Sequence, residues 1–114
     1  IIPQMLAAGG GHVVIISSVA GWRGLPKAAA YSPTKAALIS LAESLYFDLT
    51  PKNIKIQIMC PGFVDTEATA VNDFDMPDLL TAKTAAHHII SGMKSDVFSY
   101  DFPKSFTRKL KFLK

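Results

Sequence analysis

Apolar residues follow two different periods along this chain, and the alternation of the two predicts its elements. Residues 12–17 (HVVIIS) form a short, β-branched run that is apolar on both faces, the pattern of a strand covered by helices on each side. Residues 54–60 (IKIQIMC) alternate at first and stop at Pro61 and Gly62, which predicts a second strand. Between them, Ala37, Leu38, Leu41, Ala42, Leu45 and Leu49 recur at steps of three and four, with Glu43 and Asp48 off the stripe. A helix is therefore predicted over 32–49, with Pro33 in its first turn, where a missing N–H costs nothing. Strand, helix and strand in this order make a βαβ unit with parallel strands, so the fold class is α/β.

The flanks add smaller elements. Residues 1–8 read as the last turns of a helix stopped by Gly9, Gly10 and Gly11, and residues 19–30, with two glycines and a proline, read as a loop. Beyond Gly62, a polar stretch with Asp73, Asp75, Pro77 and Asp78 is expected to be a mobile, lid-like segment containing short helices. Residues 81–94 read as helical, and residues 96–102 (DVFSYDF) as a third, edge strand closed by Pro103.

Composition narrows the classes. With 114 residues, 49% of them hydrophobic, and a mean hydropathy of +0.26, the chain has material for one buried core, and no apolar run reaches membrane-spanning length. The one cysteine, Cys60, has no partner for an internal disulfide or a cysteine metal site, and a cytoplasmic setting is expected. Net charge is +3, yet Lys104, Arg108, Lys109, Lys111 and Lys114 all fall in the last eleven residues with no acid among them. The basic character belongs to this tail, and no nucleic-acid face is indicated on the body. Phe106, Leu110 and Leu113 recur at steps of four and three, so 104–114 is expected to be a basic amphipathic helix appended to a body of residues 1–103. It would dock on its own domain or a neighbouring subunit, or else make peripheral contact with an anionic membrane surface.

The chemistry centres on three residues. Tyr31 and Lys35 are four apart at the start of the helix, so their side chains share a face about one turn apart. A neighbouring ammonium favours the phenolate and makes a tyrosine usable as a general acid or base. Ser18 ends the strand before this helix, and open α/β sheets bind ligands at the carboxyl ends of their strands.

At these residues a family resemblance enters. ISSVAG at 16–21, YSPTK at 31–35 and PGFVDT at 61–66 are similar, in order and spacing, to the motifs of the short-chain dehydrogenase/reductase family. The resemblance implies the C-terminal part of a Rossmann-like, doubly wound parallel sheet with three α/β/α layers, its N-terminal half absent. It implies a nicotinamide-dependent oxidoreductase, using NAD or NADP without a metal, that interconverts a small-molecule alcohol and carbonyl by hydride transfer. Tyr31 would exchange the proton, Ser18 would hold the reacting oxygen, and Lys35 would bind the nicotinamide ribose. Pro61, Gly62, Val64 and Thr66 would line the nicotinamide carboxamide, with Tyr31 and Lys35 also touching the cofactor. The helix from Ser32 is where the family pairs subunits, so a homo-oligomer is expected by analogy.

Two departures qualify this. Nothing corresponds to the glycine-rich turn that receives the cofactor phosphates, since Gly9, Gly10 and Gly11 precede a strand instead of following one. The chain starts at Ile1 inside a helix end, and the piece alone is expected to bind cofactor poorly and turn over little. Plainer readings stand beside the chemical ones: a surface Tyr–Lys pair, Ser17 as a structural neighbour of Ser18, Trp22 as a core or loop shaper, Asp65 and Glu67 as helix-start acids, and Cys60 as a buried, inert thiol. His87 and His88 are consecutive on a helix and point about a hundred degrees apart, unsuited to a shared metal. The rival functions are a non-catalytic interaction protein that keeps the fold, and a membrane-surface binder acting through the tail.

Overall fold

The β-branched run and the alternating run become neighbouring parallel strands. In the computed structural model, which describes residues 1–70, 72 and 75–112, helix α1 (Ile2–Ala8) leads into strand β1 (Gly11–Ile16), and helix α2 (Tyr31–Leu49) returns the chain to strand β2 (Ile54–Pro61). The β1–β2 register runs from Gly11 opposite Ile54 to Ile16 opposite Met59. Two short strands follow, β3 (Val64–Asp65) and β4 (Leu80–Thr81), with helix α3 (Glu67–Ala70) between them. Helix α4 (Ala82–Met93), strand β5 (Ser99–Phe102) and helix α5 (Lys104–Phe112) complete the described chain. The main sheet has the order β1-β2-β5, all parallel, so β5 is the edge strand that the sequence suggests, although shorter at its start.

Strand β2 shows why the sheet needs helices on both sides. Ile54, Ile56, Ile58 and Cys60 are buried in one cluster with Ala42 and Leu49 of α2. The alternate residues face the other way, as the twofold period of a strand requires. Gln57, almost fully buried, donates through Nε2 to the carbonyl of Gly92 in α4 at 2.9 Å and to that of Val97 at 2.8 Å, while its Oε1 pairs with His12 Nε2 at 2.7 Å. An amide with both ends engaged can stand in a core, because its lost hydration is replaced. Strand β2 is thus covered on both faces, whereas β1, expected to be covered on each side, has no fully buried residue and ends in the exposed Ile16, because it is an edge of this sheet.

The burial of α2 departs from the expected stripe. Ala42 and Leu49 are buried and Leu45 half-buried, but Ala37 and Leu41 are exposed. Ser32 is buried in the first turn and Ile39 packs against the core in their place. A Cβ on Gly21 would come 2.8 Å from the Lys35 carbonyl and 2.9 Å from Ile39, so the turn after β1 rests directly on this side of α2. Helix α4 falls within the segment 81–94 that reads as helical, with Thr81 as N-cap accepting from the Thr84 amide at 3.1 Å.

Between β2 and α4 the expected lid is only partly the case. Asp73 lies outside the described residues, but both ends of the segment are fixed, because β3 and β4 pair in parallel, Val64 opposite Leu80 and Asp65 opposite Thr81. The tail forms α5, which docks on its own domain: Thr107 is fully buried and the Phe106 ring lies 5.7 Å from that of Phe63. Leu113 and Lys114, which the sequence reading placed in this helix, lie outside the described residues. Among the described residues, no helix is long and apolar enough to cross a membrane.

Candidate active site

Strand β1 ends in two serines whose hydroxyls do different things. Ser17 Oγ donates to the Lys35 carbonyl at 2.8 Å, tying the strand end to α2. Ser18 is extended (φ −166°) and caps a short 3-10 turn over Val19–Gly21, its Oγ accepting from the Ala20 amide at 3.1 Å. A hydroxyl that accepts once keeps its proton for another partner. The local geometry thus separates a serine that fastens the strand end to α2 from one that caps the following turn.

Tyr31 is the first residue of α2, one position earlier than the periodicity places the helix start, and is 51% exposed. Lys35 follows one turn later, and its Nζ lies over the Tyr31 ring, 5.4 Å from the centroid. An ammonium at that distance from an aromatic face is attracted by the ring quadrupole. Helix α2 starts at the carboxyl end of the sheet because it follows the loop from β1. Ser18, Tyr31 and Lys35 are therefore brought to that one end, with Gly21 seated on the backbone of Lys35.

The end of β2 supplies the next wall. The Gly62 amide donates to the Phe102 carbonyl at 2.8 Å, which carries the β2–β5 pairing beyond Pro61. A Cβ on Gly62 would sit 2.9 Å from the Phe106 ring and 3.3 Å from Pro103, so only glycine lets α5 approach this turn so closely. Val64 lies in β3, and Thr66 is exposed and locally engaged: its amide donates to Thr69 Oγ1 at 2.9 Å, and its own Oγ1 accepts from the Thr69 amide at 3.4 Å. Thr66 thus acts as the cap of α3, with Glu67 in the first turn.

Cys60 is buried beneath Trp22; burial pushes its thiol up to about 11, more than the Trp22 contact lowers it. Trp22 itself packs against the core cluster. His88 stacks on Phe102, centroids 4.8 Å apart and planes 8° apart, while the neighbouring His87 is exposed. Among the described residues, no group of three or more metal-ligating side chains is assembled.

The sequence reading missed Asp101. It faces Cys60 across the β2–β5 register and is 3% exposed, with Lys111 Nζ at 2.8 Å from Oδ1 and Lys104 Nζ at 3.1 Å from Oδ2. Burial pushes its carboxyl up, but contacts with Lys111, Thr107 and Lys104 outweigh that and hold it below its ordinary value. Of these, the Lys111 contact is an aligned hydrogen bond, whereas the Lys104 ion pair and the buried Thr107 hydroxyl act without that alignment. Nothing in the spacing of the sequence marks this cluster, apart from the step of three from Asp101 to Lys104.

Comparison with known proteins decides what this constellation belongs to. The sequence profile of the family described as short chain dehydrogenase matches residues 1–76. The chain belongs to the short-chain dehydrogenase family. Its relatives include an uncharacterized oxidoreductase of Myxococcus xanthus, 40% identical over 103 residues, covering 90% of this chain and 41% of that one. Mouse dehydrogenase/reductase SDR family member 4 is 38% identical over 71 residues, 62% of this chain and 25% of that protein. Among solved structures, a short-chain dehydrogenase from Burkholderia cenocepacia in complex with NADP superimposes with a TM-score of 0.85 at 20% identity, over 98% of this chain and 46% of that one. One from Sphingobium yanoikuyae in complex with NADPH gives 0.81 at 23%, over 97% and 44%. This short-chain dehydrogenase chain spans less than half the length of each of these relatives.

Proposed function

We propose that the protein in its full length is an NAD(P)-dependent oxidoreductase that interconverts an alcohol and a carbonyl, with Tyr31 as general acid/base. The single observation that carries this is the Lys35 ammonium over the Tyr31 ring, at the helix start that faces the Ser18 turn. The donor set suits the group it would hold. A phenol, an ammonium with three donors and a hydroxyl with a proton to give match the uncharged ribose hydroxyls of a nicotinamide nucleotide and the oxygen of a carbonyl. Bound there, NAD or NADP supplies the hydride.

Each side chain then has one task. Tyr31 donates its proton to the carbonyl oxygen during reduction and recovers it from the hydroxyl during oxidation. Lys35 lies over the Tyr31 ring and binds the ribose hydroxyls. Ser18 donates to the same oxygen, so the charge that develops there meets a fixed donor. Pro61, Gly62, Val64 and Thr66 form the segment against the carboxamide. Exposed Leu41 and Phe47 on α2 support assembly as a homo-oligomer through that helix, and the single buried thiol of Cys60 supports a cytoplasmic setting.

The test uses the full-length protein. NADH and NADPH are titrated by nicotinamide fluorescence, and carbonyl reduction is followed with the wild type and Tyr31→Phe. The expected result is that one or both nucleotides bind, and that Tyr31→Phe loses about 10²–10⁴-fold in kcat, as loss of a general acid does, with nucleotide binding retained. A wild-type protein that binds neither nucleotide overturns the reading.

A further inference from the structure

Helix α5 touches three segments at the carboxyl end of the sheet. Lys111 Nζ lies 5.1 Å from the centroid of Trp22, in the loop that follows Ser18. Phe106 presses on the Gly62 turn and on Phe63. Ser105 Oγ donates to Asp78 Oδ2 at 3.0 Å, at the close of the segment that leads into β4. These contacts come from three successive parts of the chain, and a nine-residue helix too short to be stable alone reaches all of them.

Charge joins packing in holding α5 in place. Asp101, almost fully buried at the end of β5, receives Lys104 from the first turn of the helix and Lys111 from its last. The fully buried Thr107 stands between them on the same face. One carboxylate thus pins both ends of α5 to the sheet, and Lys111 carries the link on to Trp22. A buried carboxylate of this kind holds its geometry only while both cations are present, since removing one partner leaves the rest uncompensated.

We propose that Asp101 is a positioning residue for substrate recognition. Through Lys104 and Lys111 it fixes α5 across the loops after β1 and β2 and before β4, and so sets the shape of the space into which the substrate carbonyl enters. This rests on the oxidoreductase reading above. Asp101 touches neither substrate nor cofactor; it acts by holding Trp22, the Gly62–Phe63 turn and Asp78 in one arrangement.

The experiment compares full-length wild type with Asp101→Asn, Lys111→Met and Lys111→Arg. Hydrogen exchange is read in peptides covering 19–24, 62–66, 78–81 and 104–112. Steady-state kinetics use NADPH or NADH, whichever binds, with an aromatic ketone, acetophenone, and an aliphatic one, 2-hexanone. In Asp101→Asn and Lys111→Met, exchange is expected to rise in all four segments together. The ketone KM should rise about fivefold or more, the effect of losing roughly one well-formed ion pair, with a smaller loss of nucleotide affinity through the 62–66 segment and kcat changed less than KM. Lys111→Arg, which keeps the cation, retains the wild-type KM. A merely structural role lowers the folded fraction and hence the apparent kcat, and leaves KM where it was. Exchange confined to 104–112, or an unchanged ketone KM in an active enzyme, overturns the proposal. Failure of the wild type to bind any nicotinamide nucleotide instead removes the functional reading, and the exchange pattern still judges whether Asp101 holds the loops.

Discussion

Ser17 Oγ donates its proton to the carbonyl of Lys35, the residue whose ammonium covers the Tyr31 ring. The end of β1 and the first turns of α2 are thereby fastened at the residue on which the proposed chemistry depends. The adjacent serine uses its oxygen as a cap acceptor and keeps its proton.

These two hydroxyls give opposite expectations. Ser17→Ala removes the bond that ties the strand end to the Lys35 carbonyl, which keeps its own helix partner, and is expected to cost about 1 kcal/mol of stability, with a small loss of activity. Ser18→Ala is expected to lower kcat about 10²–10³-fold, as loss of an oxyanion donor does, with a much smaller change in stability. Urea denaturation beside steady-state kinetics separates the two. Equal behaviour of both variants would remove the distinction.

Gly21→Ala places a methyl group 2.8 Å from the Lys35 carbonyl carbon and oxygen. Backbone cannot swing aside as a flexible side chain can, so the turn must lift off α2. A loss of about 1–3 kcal/mol is expected, in the range of overpacked cores. Activity should fall with it, because Ser18 and Lys35 move apart. Chemical denaturation and kcat measured on one preparation check this.

The carboxyl of Asp101 is held below its ordinary value in the folded protein. A group depressed in this way stabilises the fold at pH above its unfolded value near about 4, and that contribution is lost as pH falls through the folded value. Stability measured from pH 7 downward should therefore decline more steeply in the wild type than in Asp101→Asn. Because Lys104 and Lys111 are half-exposed, added salt should weaken the contribution. Parallel acid titrations of the two proteins would sink this expectation.

Cys60 shifts the other way, up to about 11 from an ordinary 9.0, chiefly because burial disfavours the thiolate. The folded protein binds that proton more tightly than the unfolded chain, so this contribution to stability is lost as pH rises from about 9 toward 11. At pH 8 the native thiol is expected to resist iodoacetamide and to react on unfolding, as mass spectrometry of the Cys60 peptide can show. Rapid labelling of the native protein would contradict the buried, protonated state.

The sequence by itself determined the strands, the crossover helix and the family, because each leaves a local mark. A β-branched run, a twofold alternation, a step of three and four, a Pro-Gly stop and a cap are read within a few residues, and Ser18, Tyr31 and Lys35 fall within that range. It determined most of the buried side of α2, namely Leu38, Ala42, Leu45 and Leu49, but not that Ile39 packs on the core while Leu41 stays exposed, since the two are equally apolar. The β3–β4 pairing was also invisible, as two residues carry no period. Nor did the sequence reveal that the basic tail closes on Asp101, because charges that meet through folding leave no spacing to read. Local order follows from neighbours along the chain, whereas the α5 clasp exists only where the ends of β1, β2 and β5 are packed side by side.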